Sequence, residues 1–227
     1  PNYLRQHFWK ERTFWTDGYF ACSVGNVSEE MLKRYIENQG WERRWQRMLK
    51  AYKYRIYPNN EQKVQIAKTF GCCRFVYNQT LAYRKERYEK EKKSVSKTDC
   101  NNYCNRELKK EYEWLKEVDK FALTNAIYNM DGAYRKFFKE HAGYPKFKSK
   151  HDNHKSYTTN FTNGNITVDF EGKKVKLPKL KEVRVKLHRN FSGQIKSATI
   201  SQVPSGKYYV SILVDTEHAE LPHTTQN

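Results

Sequence analysis

The spacing of hydrophobic residues changes period several times along the chain. Weak alternation from Tyr19 to Val24 predicts a strand, Gly25 and Asn26 a turn, and Ser28 the N-cap of a helix over Glu29 to Gln39 that Gly40 ends. Residues 40–47 carry neither a strand period nor a helical stripe and read as a linker. From Lys50 to Tyr57 the period is two. Tyr52, Tyr54 and Ile56 share one face, with Lys53, Arg55 and Tyr57 on the other, until Pro58 and Asn59 stop the strand. Helical spacing then runs to about His141. A short helix over Gln62 to Phe70 is expected to break at Gly71, followed by a second from Cys72 to about Lys92 and a third from Thr98 to Glu111. The fourth is the clearest, because Leu123, Ile127, Met130, Tyr134 and Phe137 fall on one stripe.

After Gly143 the period returns to two. Ile166, Val168 and Phe170 alternate with polar residues, Glu171-Gly172 can turn, and Val175 and Leu177 supply a hairpin partner. Val183 to Leu187, Ile195 to Ser201 and Lys207 to Val214 are three more strands, the last two joined through Pro204-Ser205-Gly206. About six strands interrupted by helices predict an α+β chain. A small closed or partly open barrel with a helical insertion after its first strand fits that order, preceded by a short strand–helix unit.

Composition narrows the partner. Lys and Arg number 43 against 25 Asp and Glu, a net charge of +18, and nearly all of the excess falls after Met48. Such an excess calls for a polyanion. An aromatic content of 15% excludes a disordered basic tail, and no apolar run is long enough for a membrane-spanning helix. The five cysteines are odd in number and form no CxxC pair, which argues against a disulfide framework or zinc knuckle and for a reducing cytoplasm. Pro1 has no Met before it and no signal-peptide core after it, so a piece of a longer reading frame is expected.

Basic and aromatic residues interleave in three places: around Arg84, around Arg135 and Lys136, and in Tyr144 to Lys150, where Lys146, Lys148 and Lys150 surround Phe147. Lysine and arginine displace counterions from phosphates while aromatic faces stack on bases, so the mixture suits RNA or single strands. The competing reading of any one segment is a solvated helix face with its aromatics in the core. Thr158 to Asn165 gathers hydroxyls and amides able to read base edges, or else forms a polar strand with an Asn-Gly turn. Tyr35 and Gln39, four apart, share a helix face. A tyrosine nucleophile beside a metal-ligand amide is one reading of that pair, packing on a short amphipathic helix the other.

Residues 48–227 resemble the amino-terminal half of TnpB, the OrfB protein of bacterial insertion sequences, an RNA-guided DNA endonuclease family. The matching strings are KAYKYRIYPNNEQ, GCCRFVYNQTL, WLKEVDKFALTNAI, AYRKFFKE, GYPKFKSK, SYTTNFTNGNI, VKLPKL and GQIKSATISQVPSGKYYVSILV, in family order. The resemblance implies a split wedge barrel, similar to an oligonucleotide-binding fold. Its first strand would lie at 48–58, a helix-turn-helix-like recognition lobe at 59–150, the rest of the barrel at 151–220, and a linker at 221–227. It implies guide RNA and duplex DNA with a short target-adjacent motif as partners, in a bacterial cytoplasm. By motif match Lys120, Phe121, Thr124, Thr162 and Asn163 would read that motif; the family more often has Gln where Thr124 stands. Its RuvC-type nuclease domain, whose carboxylates hold divalent magnesium, would begin after Asn227, so no cofactor is expected in the present chain.

Residues 3–39 resemble instead the carboxy-terminal end of TnpA, the single-tyrosine HUH transposase. That match makes Tyr35 a vestigial nucleophile for single-stranded transposon DNA and Gln39 a vestigial metal ligand, with the family's histidine pair expected upstream of Pro1. Glu42-Arg43-Arg44 can be encoded by a purine-rich ribosome-binding site, which would make Met48 the original TnpB start. The rival functions are a working tyrosine transposase and an RNA-guided DNA-binding regulator without nuclease activity.

Overall fold

A computed structural model describes residues 48–153 and 155–216. The chain divides into two units between residues 46 and 47, and the second is treated by itself. The strand and helix expected before residue 40, with Tyr35 and Gln39, and the linker at 40–47 lie outside the described residues.

Strand β1 spans Met48–Tyr57 and buries Tyr54 and Ile56 on the face its alternation marks. Pro58 ends it. Asn59 then caps helix α1, Asn60–Glu91: its side chain accepts from the Gln62 amide at 2.8 Å, while Gln62 Oε1 accepts from the Asn59 amide at 2.9 Å. The two short helices expected here are one. Gly71 sits inside a continuous stripe of Ile66, Thr69, Cys72, Cys73, Val76 and Tyr77, and burying that stripe outweighs a glycine cost of about 1 kcal/mol. The helix ends in a left-handed Lys92, whose amide returns to the Tyr88 carbonyl.

The third expected helix is present but not regular. Helix α2, Lys97–Tyr103, starts at a Ser96/Asp99 capping box and continues through a π-helical stretch, Cys104–Leu108, into a last turn at Lys109–Glu111. Cys100, Cys104 and Leu108 are all buried, four residues apart. That spacing drifts about 40° per step in an α-helix, and the wider turn takes the drift back. A 3₁₀ turn, Glu113–Lys116, leads to helix α3, Lys120–Glu140. Leu123, Ile127, Met130 and Tyr134 are buried as predicted; the stripe fades at Phe137, which is half-buried.

The remaining strands are β2 (Lys155–Asn160), β3 (Thr167–Asp169), β4 (Lys174–Leu177), β5 (Lys181–Lys186), β6 (Gln194–Gln202) and β7 (Tyr208–Thr216). With β1 they form one sheet in the order β2-β6-β7-β1-β5-β4-β3, antiparallel at every pairing and curled into a half-barrel. The fold is thus mixed helix and sheet, with the helices inserted after β1. Among the described residues seven strands are present rather than about six. The extra one, β2, is polar, with only Tyr157 and Thr159 buried, and its hydrogen bonding to β6 defines it where its side chains do not. At the start of β6, Gly193 has φ +123° and a side chain there would meet the Asp215 carbonyl, so only glycine fits. No helix among the described residues is long and apolar enough to cross a membrane.

Candidate nucleic-acid interface

Helix α3 begins where the helical layer meets β2. Asp119 caps it: Oδ2 accepts from the Ala122 amide at 3.1 Å and from the Thr159 hydroxyl of β2 at 2.7 Å. One turn on, Asn125 Nδ2 donates to the Thr158 carbonyl at 2.9 Å and to Asn160 Oδ1 at 3.2 Å. Asn165 Nδ2 continues the chain of amides to the Asn160 carbonyl at 3.0 Å. These bonds fasten the first turns of α3 to the end of β2 and to the loop beyond it.

Four of the five residues matched to motif reading sit on those pieces with polar groups to offer. Lys120 is exposed at the start of α3, its ammonium 5.0 Å from the Phe121 ring centre, and the Thr124 hydroxyl donates to the Lys120 carbonyl at 3.1 Å. Thr162 and Asn163 are exposed in the loop after β2. Asn163 and Gly164 have φ +49° and +70°, and the Asn165 amide closes the turn on the Thr162 carbonyl at 3.1 Å. Two successive left-handed residues are the requirement of a type I′ turn, which holds the Asn163 side chain at its tip. The polar strand and the Asn-Gly turn are therefore both present, and they carry the hydroxyl and amide cluster. Phe121 is half-buried and apolar.

The basic residues separate into free and engaged. After α3 an extended segment crosses α1, and Asn78 fixes it: Nδ2 donates to the Lys148 carbonyl at 3.0 Å and Oδ1 accepts from the Lys148 amide at 2.8 Å. Lys146, Lys148 and Lys150 are exposed along it, as is 59% of Phe147, while the Lys148 ammonium lies 4.4 Å from the Tyr77 ring centre. Lys136 is exposed on α3, and Arg135 is exposed although its Nε reaches Asp131 at 3.1 Å. Arg84 departs from the expectation of a phosphate contact. Its guanidinium donates to Asp131 at 3.0 Å and lies 4.2 Å from the Tyr134 ring centre, with 15% of the side chain exposed. A half-buried cation is best satisfied by a fixed carboxylate, and here the carboxylate is internal.

No group of three His, Cys, Asp or Glu side chains among the described residues is arranged to hold a metal ion. The described cysteines are buried and free, and burial pushes the Cys72 and Cys100 thiols up to about 11 and Cys73 higher still. None of these four described thiols is activated as a nucleophile.

Comparison with known proteins follows the same division. A helix-turn-helix domain model of the IS605 OrfB type matches residues 48–93, and an IS200-like transposase model matches residues 1–39. InsQ of Escherichia coli K12, which carries the name of an RNA-guided DNA endonuclease, is 30% identical over 177 residues, 77% of this chain and 42% of InsQ. A Streptomyces pristinaespiralis protein of the same designation is 30% identical over 187 residues, 79% of this chain and 45% of its own. The chain holds a TnpB-like region, with a TnpA-like segment ahead of it. It spans less than half the length of those two relatives. Virulence protein VsdF of Salmonella dublin is 37% identical over 114 residues, 46% of this chain and 96% of VsdF. Among solved structures, a Cas12f1–sgRNA–target DNA complex aligns over 75% of this chain and 49% of that one, with 13% identity and a TM-score of 0.41. The matched helix-turn-helix model thus covers β1 and the whole of α1.

Proposed function

We propose that the TnpB-like region binds guide RNA and reads a short motif on duplex DNA for an RNA-guided endonuclease of a transposable element. The observation that carries this is the fastening of α3 to β2 through Asp119–Thr159 and Asn125–Thr158, which holds Lys120 and Thr124 on one element and Thr162 and Asn163 beyond the other. Their ammonium, hydroxyl and amide groups are the types that read base edges. The half-barrel with its helical insertion acts as a split wedge barrel of oligonucleotide-binding type, divided at 48–58, 59–150 and 151–220. Lys146, Lys148, Lys150, Arg135 and Lys136 position the phosphate backbone, and base pairing by the guide supplies the remaining specificity. The described residues hold no carboxylate cluster for divalent metal, so strand cleavage is not assigned to them.

Selection from a randomised duplex library tests the reading. The chain loaded with its co-purifying RNA is expected to enrich one short motif, and Lys120→Ala and Asn163→Gly are expected to blur it, each base-edge interaction being worth about 1–3 kcal/mol. Glycine is the replacement of choice at 163 because it keeps the left-handed turn while removing the amide. Enrichment unchanged by either substitution would refute the assignment of these residues.

A further inference from the structure

A cavity of about 240 Å³ opens beside this interface, between α1, α3, β2 and the extended Lys148–Asp152 segment. Small residues form part of its floor, Gly71 of α1 and Ala122 and Ala126 of α3, next to the larger Phe70 and Tyr157, with the exposed Ala67 beside them. At Gly71 a methyl group would meet nothing within 4 Å, so the missing side chain is open space and not a packing requirement. Four cations stand around the opening, Arg74, Lys148, Lys150 and Lys155, against Asp152 as the single lining carboxylate. Arg74 is half-buried and makes no ion pair among the described residues, unlike Arg84 on the same helix. Desolvating a guanidinium without a counter-charge is costly, so the site is built for an anion that comes from outside. Asn129, Thr158 and Gln202 add amide and hydroxyl groups to the wall.

We infer that this cavity receives one unpaired nucleotide of a bound polynucleotide, its base over the Gly71 floor and its phosphate against Arg74 and Lys148. The volume is below that of drug-sized pockets and accommodates a single base, not a stacked pair. The inference rests on the nucleic-acid reading above and adds a place where the protein senses a break in base pairing. Arg74 and Gly71 take part in neither motif reading nor the lysine-rich segment. RNA and DNA share the recognised chemistry, a planar base joined to a phosphate, and the test separates them.

The probe is a duplex with one bulged 2-aminopurine, made as RNA and as DNA, each beside its fully paired counterpart and titrated with the 227-residue chain. A bulged nucleotide is already unpaired, so little is lost in extruding it. The bulged duplex is expected to bind about tenfold tighter than the paired one, the effect of one accommodated base, with a change in 2-aminopurine fluorescence. Preference in RNA alone or in DNA alone supports the site and names its source, and preference in both supports a site that takes the shared base and phosphate from either. Gly71→Leu fills the floor, and Ala67→Leu does so from an exposed position that tolerates a larger side chain; each is expected to abolish the preference while paired-duplex affinity stays the same. Equal binding of bulged and paired duplexes by the unmodified chain, or a preference that survives both substitutions, overturns the pocket alone. Failure to bind any duplex overturns the nucleic-acid reading with it.

Discussion

Asp131 accepts two arginines, Arg84 at 3.0 Å and Arg135 at 3.1 Å, although its side chain is only 12% exposed. Removing it strands a largely buried guanidinium between α1 and α3. Asp131→Ala is therefore expected to lower stability by about 3 kcal/mol in urea unfolding, whereas Arg135→Ala, at the exposed end, should cost under about 1 kcal/mol. Arg84 is legible in the sequence as a basic residue among aromatics, but not as the partner of a residue 47 positions later. The cysteines illustrate the opposite case, in which burial is the largest influence, joined by nearby carboxylates: Glu117 at Cys72, Asp131 and Asp99 at Cys100. Their thiols stay protonated because the charged form is penalised, so alkylation of the native chain at Cys72 and Cys100 should be negligible at pH 8 and rise only toward about pH 11. Mass-spectrometric mapping after an iodoacetamide pulse measures this; labelling at pH 8 equal to that of the denatured chain would refute it.

At the level of elements, the stripes of α3 and the alternation of β1, β4 and β5 are readable because each buries one face on a single period. Gly71 misleads. A glycine signals a break only when local propensity decides, and in α1 the buried stripe on both sides decides instead. Gly71→Ala should accordingly raise the thermal midpoint, by the equivalent of about 0.5–1 kcal/mol, since the added methyl clashes with nothing. A lower midpoint would mean that the backbone at this position is strained. Strand β2 is harder to see because its stability comes from main-chain pairing with β6 and from Thr158 and Thr199, whose hydroxyls meet at 2.8 Å. Neither leaves an apolar period. The positions matched to motif reading come from resemblance, and the fold adds that the elements carrying them are fastened to each other: a capping aspartate accepts from a threonine 40 residues away.

For the molecule as a whole, charge and topology carry separate consequences. On the proposed function, an excess of +18 would make interaction with phosphates the main source of affinity, so the logarithm of the binding constant should fall steeply and linearly with that of salt. Replacing Lys146, Lys148 and Lys150 together with Ala should flatten that slope by roughly one unit for each phosphate no longer neutralised, without changing which short motif is preferred on fully paired duplexes. A changed preference would move these lysines into the base-reading group. Topology acts on a different timescale. Strand β1 lies in the middle of the sheet, yet Tyr54 is opposite Val210 and Ile56 opposite Val185. On the ribosome the central strand is therefore made before the helices and receives its neighbours only near the end of synthesis of the described region. Until then a strand rich in tyrosine has both edges open, and the lysines and arginine spaced along it, Lys50, Lys53 and Arg55, are charges of the kind that oppose pairing of a nascent chain with another copy of itself.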